Sequence, residues 1–140
     1  MRRAFAVLAT VQVLAVVGQF FLAASGAFDT APKDESFQPH RMLGAGILLL
    51  ALVVTIAAAI ARVPGRLIGL SGLVAGLALV QFVIATIAKA FDDGDASTTV
   101  AQLIFGLHAV AGLGIMALAG TVVRQARLLA RPAARPRPAS

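Results

Sequence analysis

The sequence predicts an all-α fold: a four-helix transmembrane bundle built from two parallel helical-hairpin repeats, with both termini in the cytoplasm. Three observations carry this. The first is composition. Of 140 residues, 59% are hydrophobic and the mean hydropathy is +0.92, more apolar surface than a soluble domain of this size can bury. These residues gather into four runs, 4–25, 42–61, 67–88 and 100–123, the pattern of membrane spans. Each run covers about 30 Å of hydrocarbon at about 1.5 Å per residue. Only helices and closed barrels satisfy the backbone in lipid, and runs of this length mean helices.

The second observation is the segregation of charge. Arg2, Arg3, Arg62, Arg66, Arg124, Arg127, Arg131, Arg135 and Arg137 fall on one side of a four-span chain. All six acids (Asp29, Asp34, Glu35, Asp92, Asp93 and Asp95) fall on the other, with Lys33, Arg41 and Lys89. The excess of arginine marks the cytoplasmic side of a bacterial plasma membrane. The net charge of +6 therefore reflects membrane topology and an anionic leaflet, not nucleic-acid binding.

The third observation is an internal repeat that carries the only two histidines. His40-Arg-Met-Leu-Gly44-Ala-Gly46-Ile47 lines up with His108-Ala-Val-Ala-Gly112-Leu-Gly114-Ile115. Upstream, Gln19-Phe20 and its run to Ala27-Phe28-Asp29 line up with Gln81-Phe82 and its run to Ala90-Phe91-Asp92. The repeats are about 1–62 and 63–128, within a single membrane domain of 1–128, and 129–140 reads as a disordered cytoplasmic tail rich in Pro, Arg and Ala. One alternative reading makes residues 1–27 a cleaved secretory signal peptide, with Met1-Arg-Arg, an apolar stretch and small residues at 23–27.

Element by element, the first span carries Gln12 and Gln19, seven apart and so on one face, which is expected to point into the bundle. Pro39 suits the opening of the second span. Val63-Pro64-Gly65 is a tight turn after Arg62. The third span holds Gly65, Gly69, Gly72 and Gly76, small-residue spacing that favours close helix packing and a homo-oligomer or membrane complex. Ser97, Thr98 or Thr99 is placed to cap the fourth span. That span aligns His108, Gly112, Met116 and Gly120 as one stripe.

The repeat puts His40 and His108 on the second and fourth spans as mates about an axis along the membrane normal. Their depths need not match. His40 lies 22 residues before Arg62 and His108 lies 16 before Arg124, an offset of up to about 9 Å if those arginines share a level. Two facing imidazoles in a bundle core suit axial ligation of one b-type haem near the outer face. Gly44 and Gly112 would leave room for a flat macrocycle. Gln19 and Gln81 would donate hydrogen bonds to the ligands or the haem edge, and Arg41 would pair with a propionate.

The arrangement resembles one four-helix half of the haem A synthase family, itself a duplicated bundle with paired histidine ligands on the second and fourth helices of each half. His40-Arg41 followed by Gly44 looks like that family's His-Arg segment, and His108 takes the helix-four position. The resemblance implies haem ligation. It does not extend to the enzyme activity, because the second half and its histidine pair have no equivalent in this sequence and the spacing of Glu35 does not match. The chain also looks like small four-helix bacterial membrane proteins of unknown function. The leading expectation is a membrane electron-transfer protein that needs a quinone or redox partner, and not an enzyme on its own. The alternatives are a cofactor-free accessory or scaffold protein and a small transporter subunit.

Other chemistries are poorly supplied. There is no cysteine, hence no disulfide or thiolate metal site. Asp92-Asp93-Gly94-Asp95 has oxygen ligands but not the spacing of a calcium loop. No nucleophile–base–acid set shares a depth, no glycine-rich phosphate loop occurs, and the absence of acids from the spans argues against a proton pump.

Overall fold

The computed structural model describes residues 1–91 and 98–131. Within them the chain is all-helical: α1 (Arg2–Phe28), a single turn α2 (Lys33–Ser36), α3 (Gln38–Ile60), α4 (Gly65–Ala90) and α5 (Thr99–Ala130). Four helical segments are long and apolar enough to cross a membrane, α2 running on into α3 as one of them. The protein is a multi-pass membrane protein with a four-helix bundle.

The helices outrun the apolar stretches that predict them. α3 begins four residues early because Pro39, in its first turn, is already set for helical φ. α5 continues through Arg124 and Arg127 to Ala130, since long arginine stems can lie along apolar surface while their heads reach water. Leu129 and Ala130, expected in the tail, are therefore helical; the rest of that expected tail, from residue 132, lies outside the described residues.

α1 packs against α3 and α5, and α4 packs against the same two. The long helices thus form a closed ring, with α1 opposite α4 and α3 opposite α5. The interior is layered. Near the termini, Phe5, Ala9, Val54, Ala58, Leu67, Val122 and Ala126 form one buried cluster. A second cluster, with Val16, Ile47, Ala51, Val74, Ile115 and Ala119, fills the middle. Alanine is the most frequent residue in both, because small side chains let helix backbones approach where lipid supplies no hydrophobic drive. Large apolar side chains such as Phe21, Leu49 and Leu103 point outward instead, toward lipid. Gln12 does face the interior, buried between the apolar layers.

Hydroxyls in the spans bond to their own helix. Thr10, Thr55, Ser71, Thr86 and Thr121 each donate to the carbonyl four residues back. This satisfies a polar group within its own helix. The glycines expected to pack α4 do so at one position only. A Cβ at Gly72 would come 3.8 Å from Thr55 Cγ2, whereas Gly65, Gly69 and Gly76 face open space.

Two termini show how the ends are made. α3 closes with Arg62 at φ 50°. The Val63 amide donates to Ala58 O and the Arg62 amide to Ala59 O, the paired bonds of a Schellman motif. Val63 then buries itself in the cluster near the termini. At the other end Thr98 caps α5: its Oγ1 accepts from the Ala101 amide at 3.2 Å and donates to Phe91 O at 2.7 Å. It thereby ties the start of α5 to the residue that ends α4.

α2 lies against the far end of α1. A Cβ at Gly26 would sit 2.7 Å from Ser36 O and 3.2 Å from Ser36 C, both backbone atoms. From α2, Asp34 reaches Arg41 of α3 at 3.7 Å and Lys89 of α4 at 3.6 Å.

Arg62→Gly is expected to stabilise the bundle by about 1 kcal/mol, since it removes the left-handed penalty on a residue with a Cβ. Gly26→Ala is expected to destabilise it by about 1–3 kcal/mol through overpacking against α2. Equilibrium unfolding of each purified variant in mild detergent checks both signs.

Candidate functional site

The end of the bundle away from the termini holds a polar layer made by all four long helices. It begins with Gln-Phe dipeptides on α1 and α4. Successive helical residues project about 100° apart, close to the angle between a helix's two neighbours in a four-membered ring. Each dipeptide therefore addresses both neighbours. Gln19 turns to α3 and Phe20 to α5; Gln81 turns to α5 and Phe82 to α3.

Gln19 Nε2 donates to His40 O at 2.9 Å, and Gln81 Nε2 donates to His108 O at 3.0 Å. Above these bonds lie the glycines. A Cβ at Gly44 would come 3.0 Å from Gln19 Nε2 and 3.9 Å from the Phe82 ring. A Cβ at Gly112 would come 3.4 Å from Gln81 Nε2 and 3.4 Å from the Phe20 ring. Both glycines thus make room for an amide and a ring edge from adjoining helices.

The histidines meet across the ring. Their ring centroids are 6.3 Å apart with planes inclined at 54°. Rings this close leave no room for an offset of about 9 Å, and α5 runs on well past Arg124, so that arginine does not mark the end of its helix. His40 sits in the first turn of α3, and His108 sits well inside α5.

Their surroundings differ. His40 Nδ1 lies 3.1 Å from Gln19 O. A carbonyl only accepts, so Nδ1 carries the proton. The lone pair on Nε2 then accepts from Gln19 Nε2 at 3.2 Å. These two contacts suit the tautomer with its proton on Nδ1. Among the described residues His108 Nδ1 is buried with no hydrogen-bond partner, as are Gln19 Oε1 and Gln81 Oε1. Three orphaned polar atoms in one layer are costly in an apolar setting.

Phe37, just after α2, stands edge-on to His40 at 6.1 Å, and Lys33 Nζ lies 5.9 Å over the Phe37 ring. This aromatic cover has no counterpart in the repeat pattern. Phe20 and Phe82, by contrast, were visible as the second letters of the repeated Gln-Phe. Arg41 is engaged by Asp34, through the ion pair and through a bond from Nη2 to the Asp34 carbonyl. Met116 packs against the middle cluster. Among the described residues no group of three or more His, Asp or Glu is placed to hold a bare metal ion. The pair His40–His108 suits only a metal that brings further ligands of its own. Asp92, Asp93 and Asp95 lie outside the described residues.

Residues 19–88, half of the chain, match a family described as a family of unknown function, DUF6220. The chain belongs to this family. No curated protein and no solved structure matches it. Within this DUF6220 chain the matched stretch contains Gln19, His40, Gly44 and Gln81, and leaves out His108 and Gly112. The expectation of a small four-helix protein of unknown function agrees with this. The resemblance to haem A synthase gains nothing from it.

The two glycines are expected to respond unequally to a methyl group. Gly44→Ala would press on the amide that holds His40 and cost about 0.5–1.5 kcal/mol, the range for a weakened hydrogen bond. Gly112→Ala, with ordinary clearance, would cost less. Thermal unfolding of the two variants side by side checks the order.

Proposed function

We propose that this DUF6220 protein is a small membrane electron-transfer protein in which His40 and His108 hold one b-type haem. The observation that carries the reading is their separation. Two imidazoles that each held one iron at about 2.0 Å would have ring centres about 6.4 Å apart. The His40 and His108 rings lie 6.3 Å apart. The His40 tautomer supports it as well: a ligating histidine typically donates its other ring N–H to a carbonyl, and His40 Nδ1 does so to Gln19 O. The orphaned atoms of the layer add a demand for a polar guest.

In this reading His40 and His108 would hold the haem, and Gln19 would hydrogen-bond its edge. Gly44 and Gly112 would leave room for it beside Phe82 and Phe20. Gln81 would keep the His108 backbone in place, and Arg41 would pair with a propionate. Haem would supply one-electron chemistry between ferric and ferrous iron. A quinone or an outer-side redox protein would be the partner, because one haem near one face does not bridge the bilayer. The arginine excess supports cytoplasmic termini in a bacterial plasma membrane, and the matched Gln–His and Gly–Phe contacts support a duplicated hairpin origin.

A second reading has its own observation. Gln19 already occupies both ring nitrogens of His40, so the layer also works as a cofactor-free clasp in an accessory protein. Gly69 and Gly76, turned outward, would then serve a homo-oligomer.

The test is the absorption spectrum of the full chain purified from haem-replete cells, oxidised and then dithionite-reduced. A Soret band with a sharp reduced α-band is expected, lost in both His40→Ala and His108→Ala. A folded, colourless protein would sink the haem reading and leave the clasp.

A further inference from the structure

The end of the bundle that carries the termini holds a feature the histidine layer does not use. Between α1 and α5 lies an open, shallow depression of about 420 Å³ lined by Arg3, Ala6, Val7, Arg127, Ala130 and Arg131. A second cleft of 240 Å³ shares Ala6, Val7 and Arg127 with it and continues to Thr10 and Val11. Together they make one groove. Arg3 and Arg131 stand at its mouth. Arg127 is set about one to two turns deeper, its Nη2 donating to Thr10 Oγ1 at 3.2 Å, and Arg3 to Thr10 spans about 10 Å of helix.

Among the described residues no acid balances the charge of this groove. Asp29, Asp34 and Glu35 lie in the segment between α1 and α3, at the other end. Among the described residues both ion pairs are made there, by Asp34. Three arginines thus line one depression, and among the described residues no carboxylate pairs with them. Below them the floor turns apolar and faces lipid, with Val7 and Val11 among the exposed large hydrophobic side chains.

We propose that this groove is a binding site for one anionic phospholipid. The phosphate is held by Arg3, Arg127 and Arg131, and an acyl chain lies along Val7 and Val11. Guanidinium–phosphate pairs are strong and geometrically selective, and basic pockets between transmembrane helices favour anionic headgroups. A free anion would use the arginines but not the apolar floor, and it is the continuity of the two parts that selects a lipid. The proposal is independent of the histidine pair.

The test is native mass spectrometry of the full chain in mild detergent, offered equimolar phosphatidylglycerol and phosphatidylcholine. Selective retention of one phosphatidylglycerol is expected. Arg127→Gln and Arg131→Gln should each weaken it about fivefold, from about 1 kcal/mol per arginine, and Arg66→Gln on α4 should leave it unchanged. Equal retention of the two lipids would overturn the proposal. So would an equal loss in Arg66→Gln, which would mean diffuse charge. Full competition by glycerol phosphate at the same concentration would mean a free-anion site and would overturn it too. Should Arg127→Gln fail to fold for want of the Thr10 bond, Arg131→Gln and the wild-type lipid preference still decide the matter.

Discussion

Everything at the far end of this bundle depends on a side-chain amide meeting the backbone of a neighbouring helix. Gln19 reaches His40 O and Gln81 reaches His108 O. In lipid an unpaired amide has no water to turn to, so these bonds set the level at which α1 meets α3 and α4 meets α5. Once the level is set, the next residue on each helix is rotated onto the other neighbour. Phe20 and Phe82 must then find clearance, and Gly112 and Gly44 supply it. Neither histidine is placed by its own ring alone. The rings come within 6.3 Å because the backbones that carry them are gripped at one depth.

The same logic explains why the two halves of the layer are not identical. His40 opens α3 beneath α2, so its ring is covered by Phe37 and its Nδ1 finds Gln19 O. His108 lies well inside α5, and its Nδ1 is left without a partner among the described residues. The short helix α2 is the source of the difference. It packs so closely on Gly26 that a methyl group would collide with its backbone. It also presents Asp34 to Arg41 and Lys89, exposed contacts that orient more than they stabilise.

Charge divides the molecule as sharply as hydropathy does. One end carries acids and bases that pair with one another. The other carries arginines with no carboxylate among the described residues, and the groove between α1 and α5 draws three of them together. Anionic headgroups of a bilayer would supply the counter-charge that the described residues lack at that end. The two ends are thus built for different environments, and the apolar layers between them keep the arginines and the histidines apart.

The four spans, their alternation and the pairing of His40 with His108 were legible in the sequence. Length, hydropathy and a repeated motif are one-dimensional signals, and the membrane leaves few ways to satisfy them. The Gln-Phe dipeptide was equally visible, yet its second letter has meaning only when a helix has two neighbours at roughly right angles. The arginines alone left the relative level of the histidines open, because the sequence marks where charges stand and not how far a helix runs beyond the lipid. Which α4 glycines pack, the grip of α2 on Gly26, the orphaned Nδ1 of His108 and the groove at Arg127 all came from packing. Composition and period determine which faces of a helix must avoid water; only the ring of helices decides what each polar atom meets, because that depends on rotation and depth, which no single helix specifies.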